Sequence, residues 1–300
     1  MTNIADMRRQ DRLLLAVIAA LGIIGASCGS DSPKAATTTP TTVATTSAPA
    51  TTEAAATTTA APTTEAAPTT EAKPAVSGAI TVFAAASLTA AYTEIGNAFM
   101  AANPGTKVTF SFAASSDLVT QINEGAPADV FASADQANMK KLTDAAGNAG
   151  DPQVFATNSL EIIVGKGNPK GITGVADLAK PGVVFVTCAP EVPIGKYAAQ
   201  VLTNDAVTVT PASLEQNVKG IVTKVTLGEA DAGIVYKTDV TAAGDQAAGV
   251  EIPADINVIA TYPLVAVKAA PNPTGAQAFV DFVLSEQGQK IMATYGFTAP

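Results

Sequence analysis

The sequence predicts an α/β fold, and two observations carry that reading. From Gly78 to Pro300, short runs with β character alternate with segments whose apolar residues recur at helical spacing. Where a run gives way to a helix, the junctions are built of alanine and serine, as in TVFAAASLTAAY (Thr81 to Tyr92) and SFAASSDLVTQI (Ser111 to Ile122). Strand, helix, strand is the grammar of a sheet rich in parallel strands and covered by helices.

The elements follow in order. Ala79–Phe83 reads as a strand, and the apolar positions Leu88, Tyr92, Ile95 and Phe99 place a helix over Leu88–Met100. Lys107–Phe112 is a strand with a helix over Asp117–Asn123. Asp129–Ala132 is a strand with a helix over Gln136–Ala146. In a second set, Leu160–Val164, Val183–Thr187 and Ala232–Tyr236 read as strands, and Ile194–Leu202 and Glu215–Thr226 as helices. A last strand, Leu264–Val267, leads into helices over Thr274–Leu284 and Glu286–Tyr295.

The first quarter of the chain is different. Arg8, Arg9 and Arg12 precede the apolar run LLLAVIAALGIIGAS, which ends in small residues before Cys28. This is the layout of an export signal, and the ending ASC-GSD resembles that of a bacterial lipoprotein, whose cysteine is lipidated. Residues 1–28 are expected to be the signal peptide. Residues 29–77 are mostly Ala, Thr and Pro, with TTEA recurring at Thr51, Thr63 and Thr69. Such a segment has too little to bury to offset its ordering entropy, and reads as a disordered tether. As a coil it spans on the order of 40 Å, and as polyproline II about 140 Å. The folded part is then expected outside the cytoplasmic membrane, anchored to its outer face.

Composition excludes several functions. The chain of 300 residues carries a formal charge of −9, which argues against a nucleic-acid partner. It contains no histidine, so the usual general base, the usual zinc ligand and a Ser-His-Asp triad are all missing. The segment Gly25-Ala26-Ser27-Cys28-Gly29 matches a G-x-S-x-G nucleophile elbow by letter, but it sits at the end of the signal and has no histidine to serve it. Beyond Arg12 there is no arginine to clamp an anion. Cys188 has no partner in the mature domain and reads as a small buried apolar residue.

The small-residue junctions suggest what the fold is for. A helix start presents unpaired N–H groups with partial positive charge. Alanine and serine leave that backbone accessible, which makes an anion site without a cationic side chain. In a parallel sheet the strand ends share one edge, so Ser87 and Ser115 are expected at one crevice. Taken singly, each serine reads first as a helix N-cap.

The motifs TVFAAASL, SFAASSDL, GAPADVFASADQ, EVPIGKYAAQVL, AGIVYKTDV and the terminal YGFTAP, in that order, resemble the periplasmic molybdate-binding proteins of ABC importers. The resemblance covers nearly all of Gly78 to Pro300. It implies a two-lobed periplasmic-binding-protein fold of type II, with a ligand cleft between the lobes and two hinge crossings, near Asn158 and Thr261. Residues 78–158 and 262–300 would form lobe one, and 159–261 lobe two. By the same resemblance the oxyanion is held through neutral donors: Ser87 and Ser115 from lobe one, backbone N–H of Ile194 and Val218 and the hydroxyl of Tyr236 from lobe two. The metal would be bound only through its oxygens, with no protein ligand to it and no further cofactor. The expected partners are molybdate or tungstate and a membrane permease, with the protein acting as a monomer and not as an enzyme.

Without the resemblance, Ile194 and Val218 read as helix core, Tyr236 as a packed aromatic, and Lys196 and Lys237 as solvated charges. A site made only of donors rejects an oxyanion that carries a proton, since its O–H would find no acceptor. That disfavours phosphate and leaves sulfate as the alternative ligand. An extracellular enzyme and a purely adhesive surface protein are weaker alternatives.

Overall fold

A computed structural model describes residues 76–300. Cys28, the signal peptide expected over residues 1–28 and nearly all of the Ala/Thr/Pro segment lie outside the described residues. In chain order the first stretch forms β1 (Ser77–Ala85), α1 (Thr89–Ala102), β2 (Gly105–Ala113), α2 (Ser115–Asn123), β3 (Val130–Ala132), α3 (Gln136–Asp144) and β4 (Asn148–Asn158). Next come β5 (Leu160–Gly165), β6 (Phe185–Cys188), α4 (Pro193–Asn204), β7 (Ser213–Glu215), α5 (Val218–Thr226), β8 (Ala232–Tyr236), α6 (Lys237–Ala243) and β9 (Ala247–Glu251). The chain closes with β10 (Ala260–Val267), α7 (Pro273–Leu284) and α8 (Glu286–Thr294).

These strands build two five-stranded mixed sheets, one in each lobe, ordered β2-β1-β3-β10-β4 and β7-β6-β8-β5-β9. In the first, β1, β2 and β3 run parallel, and β10 enters antiparallel between β3 and β4. In the second, β6 pairs in parallel with β7 and β8, while β5 is antiparallel to both β8 and β9. The register Ala85↔Ala113 ends β1 and β2 side by side, so their small-residue junctions open on one edge.

The core follows from the apolar spacing. Leu88, Tyr92, Ile95 and Phe99 are all buried on one face of α1 and its entry turn. Tyr92 and Phe99 meet Phe279 of α7 with ring centroids 6.1 and 5.4 Å apart. Each such ring contributes about 1.5–3 kcal/mol by leaving water. Helix starts are fixed by side-chain caps: Asp135 accepts from Asn138 N at 2.8 Å, Asn217 from Lys219 N at 3.0 Å, and Asn272 from Gly275 N at 2.9 Å.

The structure adds elements the sequence pattern did not reveal. β4 contains Gly150 and Pro152, which break a strand signature; it occupies a sheet edge, where proline is tolerated. β7 and β9 are short edge strands of the second sheet. β7 takes Glu215, and the helix expected from Glu215 starts at Val218, after the Asn217 cap. α6 begins at the residue after β8, with no loop to announce it. β10 begins at Ala260, four residues before the expected start.

The chain passes between the sheets at two places. Ser159 alone separates β4 from β5, and the return runs between Glu251 and Ala260. Asn257 ties the two crossings together: its amide donates to Leu160 O at 2.9 Å and its oxygen accepts from Leu160 N at 3.2 Å. Among the described residues no helix is long and apolar enough to cross a membrane.

Candidate functional site

The five residues singled out from the sequence meet at one cavity. It is lined by Ala85, Ala86 and Ser87 from the end of β1, Ala113, Ala114 and Ser115 from the end of β2, and Ala134 from beyond β3. The second lobe contributes Val192, Pro193 and Ile194, Asn217 and Val218, and Tyr236. The cavity is small, about 20 Å³, comparable with the roughly 10–15 Å³ that one water occupies on this scale. Across it the lobes already touch. Tyr197 Oη donates to Ala134 O at 3.4 Å, and Asn138 Nδ2 donates to Glu191 O at 3.4 Å.

Three of the five residues sit at the start of an α-helix. Ser115 is the first residue of α2, Ile194 the second of α4 and Val218 the first of α5. N–H groups in a first turn have no intrahelical acceptor. Pro193 suits its place at the head of α4, where a missing N–H costs nothing. Gly195 lets that helix approach β6: a Cβ there would lie 2.2 Å from Ala189 O and 2.5 Å from Cys188 O. The Asn217 side chain occupies Lys219 N, leaving the Val218 N–H unused by the cap.

Neither serine caps its own helix, contrary to the plainest reading of each alone. The caps of the two turns are Ala85 and Ala114, without side-chain bonds. The Ser115 Oγ accepts instead from Ala134 N at 3.0 Å, joining two of the lining turns. The Ser87 Oγ lies 3.2 Å from the hydroxyl of Tyr262.

Tyr236 is the most telling side chain. It is 1% exposed, it lines the cavity, and its hydroxyl has no hydrogen-bond partner. Burial pushes its phenol well above the ordinary tyrosine value, and Tyr262, Tyr197, Asp239 and Asp135 add to the rise. It therefore stays a neutral O–H donor at any physiological pH. Its ring packs edge-on to Tyr197 and Tyr262, at 6.4 and 5.7 Å between centroids.

Among the described residues no charged side chain lines the cavity. Lys196 and Lys237 are exposed. Lys219, next to Val218, is engaged by the buried carboxylate of Asp239 at 2.9 Å. Cys188 is free and buried under α4, and burial pushes its thiol up to about 12. Among the described residues no group of three or more His, Cys, Asp or Glu side chains is placed to hold a metal ion. The arrangement can hold a small anion by its outer atoms, through several neutral donors converging from both lobes.

Sequence reasoning missed Tyr262, which follows the return crossing and reads as one more packed aromatic in TYPLVAV. It also missed the Lys219–Asp239 pair, whose partners lie on different helices.

A two-lobed α/β protein with a small cleft of neutral donors between its lobes is the architecture of a solute receptor, and the comparisons agree. Residues 80–298 match the model of the bacterial extracellular solute-binding proteins, and the chain belongs to that family. It is 41% identical over 222 residues to the molybdate-binding protein ModA of Mycobacterium tuberculosis, across 74% of this chain and 85% of the relative. The periplasmic molybdate-binding protein of Azotobacter vinelandii has the same fold, with a TM-score of 0.65 and 21% identity, covering 74% of this chain and 99% of that one. So does the sulfate-binding protein SubI of M. tuberculosis, with a TM-score of 0.66 and 23% identity, covering 74% and 86%.

Proposed function

We propose that this protein captures molybdate, and tungstate with it, outside the cytoplasmic membrane and delivers it to an ABC importer. The observation that carries the reading is the Tyr236 hydroxyl, buried without a partner and facing a cavity ringed by helix starts. A buried orphan donor costs about 1–3 kcal/mol, and an anion in the cleft supplies the acceptor it lacks. Ser87, Ser115 and Tyr236 would donate hydroxyls, and Ser87, Ser115, Ile194 and Val218 backbone N–H groups, all to the oxygens of the anion. The metal itself would touch no protein atom. The similarity to ModA proteins supports molybdate as the ligand.

The same donors fit sulfate, so cavity size has to separate the larger group-six oxyanions from it. Nothing at the site suggests catalysis: it has no nucleophile–base pair and no charged side chain. Lipidation at Cys28 and a tether over residues 29–77 would hold the two lobes, 78–158 with 262–300 and 159–261, at the membrane face as a monomer within reach of the permease.

Isothermal titration calorimetry of the full chain against molybdate, tungstate, sulfate and phosphate tests the proposal. The expected result is tight one-to-one binding of molybdate and tungstate, sulfate far weaker, and no heat from phosphate. Absence of molybdate binding at micromolar concentration overturns it. Equal sulfate and molybdate affinity replaces it with a general dianion receptor.

A further inference from the structure

We propose that Lys219 acts on the anion site through Asp239, cancelling a buried carboxylate that would otherwise repel the bound dianion and lower its affinity. The inference rests on the receptor reading above.

The pair adjoins two of the cleft's proposed donors. Lys219 is the second residue of α5, after Val218, and Asp239 is the third of α6, which starts directly after Tyr236. Lys219 Nζ donates to Asp239 Oδ1 at 2.9 Å, so one bond ties the heads of the two helices. Burial is unequal across it. The Asp239 side chain is 1% exposed and the Lys219 side chain 37%. The second carboxylate oxygen, Oδ2, has no hydrogen-bond partner. Water therefore screens the cation and not the carboxylate, and a carboxylate so placed needs its partner.

The other buried aspartates among the described residues are held without a lysine. Asp129 accepts from Thr81 N and Asn272 N, each at 2.7 Å. Asp135 caps α3, whose start offsets its charge. Glu215, a further carboxylate near Cys188, is paired with Lys224 at 2.7 Å. Asp239 is close enough to the site to be felt there: beyond the effect of burial, it adds to the rise of the Tyr236 phenol. Burial raises Asp239 itself, and Lys219 opposes that rise. Stripped of Lys219, the carboxylate would repel an anion in the cleft in proportion to the anion's charge. A helix head merely displaced would instead weaken anions of one shape alike, whatever their charge.

Calorimetry on the full chain tests this with sodium molybdate and, by displacement, sodium perrhenate, two tetrahedral oxyanions of similar size that carry two charges and one. Lys219→Met is expected to weaken molybdate about tenfold or more. Perrhenate is expected to weaken only by about the square root of that factor, because its repulsion is half as large. Lys219→Arg is expected to keep both affinities within about threefold of wild type. Adding Asp239→Asn to Lys219→Met is expected to regain about threefold or more for molybdate, although no bond between the helices returns. If Lys219→Met does not fold, Asp239→Asn alone carries the test. It keeps an acceptor for Lys219 and drops the charge, and is expected to bind molybdate about twofold or more tightly than wild type. Equal losses for the two anions, a double variant as weak as Lys219→Met, or weaker binding by Asp239→Asn overturns the proposal and leaves the pair a structural tie. A wild-type chain that binds no oxyanion overturns this inference and the receptor reading together, whereas tight wild-type binding with equal losses overturns this inference alone.

Discussion

Tyr236→Phe separates binding from stability, because the structure predicts opposite signs for the two. The substitution removes one oxygen and keeps the ring, which is packed against Tyr197 and Tyr262. In the ligand-free protein that oxygen is buried and unpartnered. Removing it relieves a desolvation cost of about 1–3 kcal/mol. In a domain of this size about 1 kcal/mol moves the melting temperature by roughly 2–4 °C, so the free variant is expected to melt some 2–4 °C higher at the low end of that cost. With molybdate bound, the same oxygen donates to a charged acceptor, a bond worth about 1.5–3 kcal/mol. Its loss raises Kd by about tenfold to 150-fold. Differential scanning calorimetry with and without saturating molybdate, together with a titration, reads both effects. A variant that melts lower when free, or that binds molybdate within twofold of wild type, refutes the assignment of this hydroxyl as the waiting donor.

Three further outcomes follow from the same geometry. Molybdate affinity is expected to stay flat between about pH 6 and 8, because no charged side chain lines the cavity and the Tyr236 phenol, its value raised by burial, keeps its proton throughout; titrations across that range check it, and a loss that tracks one titrating group contradicts it. Gly195→Ala is expected to push the head of α4 off β6, since the new methyl meets two carbonyl oxygens; overpacking of about 1–3 kcal/mol and at least a tenfold loss of affinity through the displaced Ile194 N–H would appear in melting and calorimetry. Cys188, with its thiol raised to about 12 by burial and by the nearby Glu215 and Asp239 carboxylates, is expected to resist a maleimide in the native protein and to react on unfolding; rapid native labelling, followed by mass spectrometry, would contradict its burial.

The sequence shows some of this molecule plainly and hides the rest for physical reasons. The β1–α1 and β2–α2 junctions were readable because small residues between a strand and an amphipathic helix have few other uses. The interior parallel strands were readable because burial on both faces demands unbroken apolar runs. β4 was not, because an edge strand can keep Gly150 and Pro152. The short edge strands β7 and β9 leave too little pattern to detect. At the site, Ile194 and Val218 are proposed to act through their backbones, and a backbone N–H leaves no mark on residue type; only the family likeness pointed to them. Tyr262 was hidden in another way. Its partner Ser87 is 175 residues distant, and no local pattern links a strand tyrosine to a loop serine so far away.

The position of β10 has a consequence for how the protein comes into being. In the first sheet it is the strand between β3 and β4, yet it is made last, after the whole second sheet. Until it emerges, β3 and β4 have no neighbour on that side and present open edges, which invite wrong pairing. The second sheet, drawn from the continuous stretch between Leu160 and Glu251, suffers no such delay. The lobe whose strands come first in the chain must therefore finish second, waiting on a pairing that closes a loop of about a hundred residues, and long-range pairings of that kind form slowly. Synthesis order and assembly order run in opposite directions, and a chain cut short before Ala260 would leave the first lobe without the strand that joins β3 to β4.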